Sequence, residues 1–294
     1  MNLKLDMIFD LNHSLCCGQV FRCKKQGDWW YCISREKIFK IRQPNSNYLE
    51  FEGVDADFVT AFFRLNDDLA EIECSINKDS YIAAALKQFK GLRLIRQDSW
   101  ECLISFICAT YRNITAIEQT LFKISQTFGE KRCFGGQNFW LFPSAEKLAM
   151  TNVHSLEECG LGYRAKYVQA TAKRVYDERV NLEGFKHLSY VEAKKRLFDF
   201  PGVGLKVADC VLLFSLGKME AFPVDIWVKR ILLNNYATLL PQNLVKKLQM
   251  HKSLSNSEYE KLCLFAQNYF GAYAGYAQEY LYHYERSKNK VTGS

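Results

Sequence analysis

The chain has 294 residues, 48% of them hydrophobic and 24% charged, with a formal net charge of +7 at pH 7. That length can bury a substantial core in one large domain or two to three small ones. No run approaches the roughly 20 apolar residues that span a bilayer, Met1-Asn2-Leu3-Lys4-Leu5-Asp6 lacks the layout of a secretory signal, and neither end carries a lipidation motif. The expectation is an intracellular protein with no membrane partner. Its eleven cysteines are odd in number and irregular in spacing, which reads as reduced, mostly buried thiols and argues against a zinc or iron–sulfur site. The mildly basic balance suits a polyanion but does not select one. Lys194-Lys195-Arg196 and Lys173-Arg174 read equally as nucleic-acid contacts or as solvated helix faces.

In chain order, segments 29–34, 37–42 and 48–52 are short, aromatic or β-branched and partly alternating. Ser34-Arg35-Glu36 and Gln43-Pro44-Asn45-Ser46-Asn47 supply turns, so an antiparallel meander is predicted. From about Asp55 onward the pattern is helical, with helices expected over 57–65, 81–89, 99–110, 114–128 and 164–178. Further helices are expected over 191–198, 205–216, 226–234, 258–270 and 274–287. Strands followed by helices predict an α+β fold. A small N-terminal domain with an antiparallel sheet would occupy 1–90, and a mostly helical body 91–294, its C-terminal helices packing back near the N-terminal domain. Internal repeats, low-complexity segments and long linkers are not apparent.

The most informative stretch is Phe200-Pro201-Gly202-Val203-Gly204-Leu205-Lys206-Val207-Ala208-Asp209-Cys210. A proline and two glycines between helices read as a helix-hairpin-helix over about 190–216. Gly202 and Gly204 allow close backbone approach, and the amides of the second helix, that of Val207 included, can face one DNA phosphate without reading sequence. An ordinary helix–helix corner would look similar. Lys206 falls in the first turn of that helix, where the dipole opposes its charge. A lysine must lose its proton to act as a nucleophile, so Lys206 reads either as such a nucleophile or as a phosphate contact. Phe222-Pro223-Val224-Asp225 follows, with Asp225 nineteen residues after Lys206 and just ahead of a helix. There a carboxylate caps the helix. It could also stabilise positive charge developing on a sugar as its base departs.

Together, Gly202 to Cys210 and Pro223-Val224-Asp225 resemble the helix-hairpin-helix–Gly/Pro–Asp superfamily of DNA glycosylases, and within it the 8-oxoguanine DNA glycosylase/AP lyases. Gly18-Gln19-Val20-Phe21-Arg22, Gln97-Asp98-Ser99-Trp100-Glu101-Cys102, Leu161-Gly162-Tyr163-Arg164-Ala165-Lys166-Tyr167 and Phe270 to Gln278 resemble further segments of that family, in the same order. The resemblance implies that Lys206 attacks C1′, leaving a Schiff base that undergoes β-elimination, and that Asp225 is the essential carboxylate. It implies that the Gly18 carbonyl accepts the N7–H of 8-oxoguanine, that Cys210 and Tyr282 sandwich the base, and that Gln278 holds its Watson–Crick edge. Phe214 would add to the pocket wall. Cys210, Phe214 and Tyr282 could each equally be core. Tyr163 and Arg164 would wedge into the duplex and meet the orphaned partner base, with Asn113 also on DNA. The carbonyls of Phe198, Phe200 and Val203 would form a structural cation site. The implied partner is double-stranded DNA carrying oxidised guanine, met by a monomer at the DNA of the cell (cytoplasm and nucleoid in a prokaryote). No cofactor is implied.

Three positions depart from the pattern. Tyr111 stands where the family has a space-filling asparagine, Ala116 replaces an arginine that helps read the opposing cytosine, and Trp227 replaces a phosphate-contacting histidine. With one of two arginine readers missing, a relaxed preference for the opposite base is expected. Two other functions compete: a related glycosylase for adenine opposite 8-oxoguanine or for an alkylated base, and a non-catalytic DNA-binding module. Adenine-removing relatives generally lack the lysine and carry a C-terminal iron–sulfur cysteine set, whereas this chain has Lys206 and no such set. The presence of both Lys206 and Asp225 speaks against a mere binding module.

Overall fold

The computed structural model describes residues 1–291, with side chains through 288. Its N-terminal part holds β1 (Asn2–Lys4), α1 (Leu11–Cys16), β2 (Cys23–Gln26), β3 (Trp29–Ser34), β4 (Lys37–Asn45) and β5 (Tyr48–Glu52). The five strands form one antiparallel sheet in the order β1-β5-β4-β3-β2. The expected meander is therefore present, extended at both edges by short strands with too little alternation to stand out. In β3, Trp30, Cys32 and Ser34 are buried in alternation with their neighbours, as one-sided burial of a sheet requires. Cys23 lies opposite Cys32 in the β2–β3 register, and the two sulfurs are bonded. This corrects the expectation of uniformly reduced thiols. The register that brings the two residues together is a tertiary feature that cysteine spacing does not carry.

Helices α2 (Ala56–Phe62), α3 (Leu69–Ile76), α4 (Ser80–Gln88), α5 (Ser99–Cys108) and α6 (Ile114–Phe128) follow. The helical run is then interrupted by a second, two-stranded sheet, β6 (Lys131–Phe134) and β7 (Gln137–Trp140), closed by Gly135-Gly136. This hairpin contradicts the expectation of helix throughout. Tyr31 of β3 stacks on Phe139, ring centroids 5.9 Å apart, which docks the hairpin on the main sheet. The rest is helical: α7 (Ala145–Met150), α8 (Val153–Leu156), α9 (Arg164–Asp177), α10 (Tyr190–Leu197), α11 (Leu205–Phe214), α12 (Ile226–Asn235), α13 (Gln242–Met250), α14 (Asn256–Phe270) and α15 (Ala274–Val291).

Two cores result. Trp30, Phe39, Phe51, Phe62, Phe63 and Ile95 belong to the core under the sheet, whereas the larger core runs from Leu69 to Leu281 and takes in Cys17 and Phe21. The α3 and α4 helices, which precede the division expected near residue 90, thus pack with the helical body. The Tyr280 hydroxyl of α15 lies 2.8 Å from Glu73 Oε1 and 3.1 Å from the Leu92 carbonyl, its one hydrogen serving these two acceptors, so the last helix packs against residues of the first hundred. No helix among the described residues is long and apolar enough to cross a membrane.

Candidate active site

The α10–α11 pair is the hairpin expected from sequence. Gly202 has φ +84°, and a Cβ there would lie 2.7 Å from Cβ of Tyr167, so both its conformation and its contact demand glycine. Gly204 differs from expectation: at φ −97° it needs no left-handed freedom, and a Cβ there would meet open space. It is the N-cap of α11, and no side chain caps that helix. The first backbone bond runs from Ala208 N–H to the Gly204 carbonyl at 2.9 Å, which leaves the amides of Leu205, Lys206 and Val207 as the free donors of the first turn.

Asp209 fixes the pair. Its buried carboxylate accepts from the Tyr190 hydroxyl at 2.8 Å, the Lys194 ammonium at 2.9 Å and the Tyr259 hydroxyl at 2.7 Å, joining α10, α11 and α14. Arg174 donates to the Asp199 carbonyl at 2.6 Å. Of the two basic clusters, Lys194 and Arg174 are therefore structural, while Lys173, Lys195 and Arg196 are exposed. At the hairpin the Phe200 carbonyl accepts the Val203 N–H at 3.1 Å. A carbonyl has a second lone pair, so this bond leaves the Phe200 oxygen able to accept once more, and a structural cation on the Phe198, Phe200 and Val203 carbonyls remains an expectation.

Lys206 projects from the first turn of α11 with its Nζ 5.1 Å from the Phe106 ring centroid. Phe106 is stacked on Phe214 at 5.4 Å, so Phe214, itself buried, backs the ring that Lys206 faces. Cys210, one turn along, is 2% exposed. Burial pushes its thiol up to about 12, and the neighbouring Lys206 ammonium pulls the other way. Asp225 begins α12 and accepts from the Trp227 and Val228 amides at 2.9 and 2.8 Å. Burial raises the Asp225 carboxyl above the usual aspartate range, although these amides, Lys206 and Arg286 all favour its charged form. Lys206, Cys210 and Asp225 thus share one half-dry site. Trp227 is half-buried beside Arg230, 5.5 Å from guanidinium to ring centroid.

The opposite wall comes from the turn after α1 and from α15. Gly18 has φ +104°, and a Cβ there would lie 2.7 Å from both Arg286 Nη1 and Ile114 Cδ1, and 3.7 Å from Tyr282 Cε1. The buried Gln19 side chain anchors this turn, donating to the Arg93 carbonyl and accepting from the Ile95 N–H, both at 2.8 Å. On α15, Gln278 is 5% exposed and its Oε1 has no hydrogen-bond partner among the described residues, so a buried acceptor stands ready for a ligand. Tyr282, four residues on, is half-buried beside Gly18, and burial followed by the Asp225 charge raises its phenol.

The residues expected to face a duplex divide. Tyr163 is 55% exposed and Tyr111, at φ +54°, is 89% exposed. Arg112 donates to the Gly160 carbonyl and Arg164 to the Thr110 carbonyl, lacing together the two loops that carry these tyrosines. Arg164, expected to meet a base, is instead only 7% exposed and spends its guanidinium on the carbonyls of Thr110 and Leu161. Asn113 caps α6, accepting from the Ala116 N–H at 2.8 Å. Sequence reading missed Cys17, Glu279 and Arg286. The only signal was their spacing, since Glu279 and Arg286 lie three residues before and four after Tyr282 on one helical face.

Comparison with known proteins gives the family. Residues 2–103 match the 8-oxoguanine DNA glycosylase, N-terminal domain, family, and residues 104–251 match the HhH-GPD superfamily base excision DNA repair proteins. The chain belongs to the HhH-GPD superfamily. Among its relatives, a probable N-glycosylase/DNA lyase of Methanothermobacter thermautotrophicus is 30% identical over 229 residues, which cover 71% of this chain and 68% of that one. The N-glycosylase/DNA lyase OGG1 of Arabidopsis thaliana is 30% identical over 284 residues, covering 90% of this chain and 74% of that one. The Clostridium acetobutylicum 8-oxoguanine glycosylase/lyase, solved in complex with dsDNA containing cytosine opposite to 8-oxoG, is similar at a TM-score of 0.84 and 30% identity, covering 98% of this chain and all of that one.

Proposed function

We propose that this chain is a bifunctional DNA N-glycosylase and AP lyase that excises 8-oxoguanine from duplex DNA. The observation that carries the reading is the junction of Lys206, Cys210 and Asp225 on one side with Gly18 and Tyr282 on the other, Gln278 standing one turn before Tyr282 on α15 with its buried Oε1 unpartnered among the described residues. A base within a duplex is out of reach, so it must be extruded at a cost of a few kcal/mol. The uncapped start of α11 offers amides to a backbone phosphate, and Tyr163 and Tyr111 offer rings for the space left behind.

In the pocket, the Gly18 carbonyl accepts the N7–H that guanine lacks, Gln278 meets the Watson–Crick edge, and Cys210 and Tyr282 flank the ring. Neutral Lys206 then attacks C1′ as the C1′–N9 bond breaks, and the Asp225 carboxylate stabilises the positive charge on the sugar. The base leaves with the C1′–N9 bonding pair and takes up a proton, while the Lys206 nitrogen gives one up. The nitrogen lone pair then breaks the C1′–O4′ bond, O4′ taking a proton from water, to leave an open-chain Schiff base. Loss of a C2′ proton to water forms the C2′=C3′ double bond as the C3′–O bond breaks, expelling the 3′ phosphate and cutting the strand. The protein acts as a monomer on DNA. Borohydride trapping on an 8-oxoguanine duplex tests this: a covalent adduct is expected with the wild type and none with Lys206→Gln, whereas no adduct with either, or one with both, overturns the reading.

The opposing base is read weakly in this scheme, because Ala116 carries no donor side chain and Arg164 is occupied by backbone carbonyls. Single-turnover excision opposite C, A, G and T should differ by less than about tenfold, since each well-made base contact is worth ~1–3 kcal/mol of discrimination. A steep preference for C contradicts this part alone.

A further inference from the structure

Arg286 has no part in the mechanism above, yet its guanidinium lies beside Gly18 and Tyr282, which meet the base in that reading. Its carbon sits 5.1 Å from the Tyr282 ring centroid, and Nη1 donates to the Cys17 carbonyl at 2.7 Å. The same nitrogen would be 2.7 Å from a Cβ on Gly18. Asp225 and Glu279 both feel its charge: burial pushes the Glu279 carboxyl up to about 7, and Arg286 works against that shift. Lys288, by contrast, lies against the rings of Tyr81 and Tyr284. Arg286 is thus a cation held by one carbonyl and one ring face, with two acids near enough to feel its charge.

The pairing with Gly18 has a chemical meaning. A backbone carbonyl offers an acceptor, and a guanidinium with five N–H groups, one of them committed to Cys17, offers donors beside it. The imidazole edge of guanine presents a lone pair at N7 and a C–H at C8, which fits neither. The same edge of 8-oxoguanine presents N7–H and C8=O, a donor followed by an acceptor, as in a cyclic urea. On the base O8 is next to N7–H, and Arg286 is the donor next to Gly18, its Nη1 2.7 Å from where a Gly18 Cβ would stand.

We propose that Arg286 is a specificity-determining residue that donates a hydrogen bond to the C8 carbonyl oxygen of the extruded base. Gly18 then senses the added hydrogen and Arg286 the added oxygen. This rests on the reading of the chain as an 8-oxoguanine glycosylase and adds a second contact to it.

The test uses the full chain in single-turnover excision from duplexes carrying 8-oxoguanine or 8-thioguanine. Both keep N7–H, but sulfur is the weaker acceptor. Arg286→Leu, which keeps apolar bulk on Tyr282, should lose about tenfold or more of its rate on 8-oxoguanine beyond any loss on 8-thioguanine, because a charge-assisted bond to oxygen disappears. Equal losses on the two bases mean that Arg286 only braces the Cys17–Gly18 turn, and no loss on either makes it a bystander; both overturn the proposal. Borohydride trapping on an abasic site, where no base is read, isolates the other failure. A wild type that does not trap there refutes the glycosylase/lyase reading itself. If Arg286→Leu alone fails to trap there, the fold or the Lys206 site is lost, and Arg286→Met carries the same comparison of the two bases with the same expected and overturning outcomes.

Discussion

Two helix starts flank the site and are finished in opposite ways. The α12 helix is capped by its own carboxylate, with Asp225 taking two amides, whereas α11 begins at Gly204 with no side-chain cap. Most helices here follow the first pattern, with Asp10, Asp55, Asp68, Asp98, Ser189 and Ser255 in the same role. A capped start has its donors satisfied from within. An uncapped one keeps them for something from outside, and a phosphate fits both the donors and the dipole. Asp225 is thus structural by its hydrogen bonds and available for chemistry by its burial beside Lys206.

That contrast can be broken from either side. The largest effect is expected from Asp225→Asn, which still caps α12 but removes the charge. Excision should fall by about 10²–10³-fold, as for loss of other electrostatic stabilisers, with DNA binding retained; undiminished excision would reduce Asp225 to a cap. Because burial raises the Asp225 carboxyl, wild-type excision should fade on the acid side at a pH above the ordinary aspartate range, as the carboxylate takes up its proton. A smaller effect is expected from Gly204→Asp, which gives α11 the finish that α12 has. A Cβ there meets nothing within 4 Å, so thermal melting should report a gain of only a few tenths of a kcal/mol, because glycine is itself a tolerable cap. DNA affinity should drop, and its dependence on salt should flatten by about one phosphate contact. Unaltered salt dependence would mean that α11 does not hold the backbone.

What the sequence made legible was what local chemistry determines. Pro201-Gly202 and Pro223-Val224-Asp225 announce a turn and a cap, and the alternation in β3 announces a one-sided strand. The β6–β7 hairpin was missed because its strands are polar, four residues each and mostly exposed, although Gly135-Gly136 is a hairpin signal. Arg164 was placed by resemblance on the DNA, but the Thr110 carbonyl, fifty-four positions away, claims it. The Cys23–Cys32 pairing and the entry of Arg286 into the pocket likewise depend on register and helix packing. None of these is written in the neighbouring residues.

The Asp209 junction has a mechanical consequence. One buried acid ties three helices through two phenols and an ammonium, so the corner proposed to hold the backbone is stiff. When a straight double helix meets such an unyielding jaw, the curvature has to come from the nucleic acid. Lesions that soften stacking would then be the easiest to bend into place.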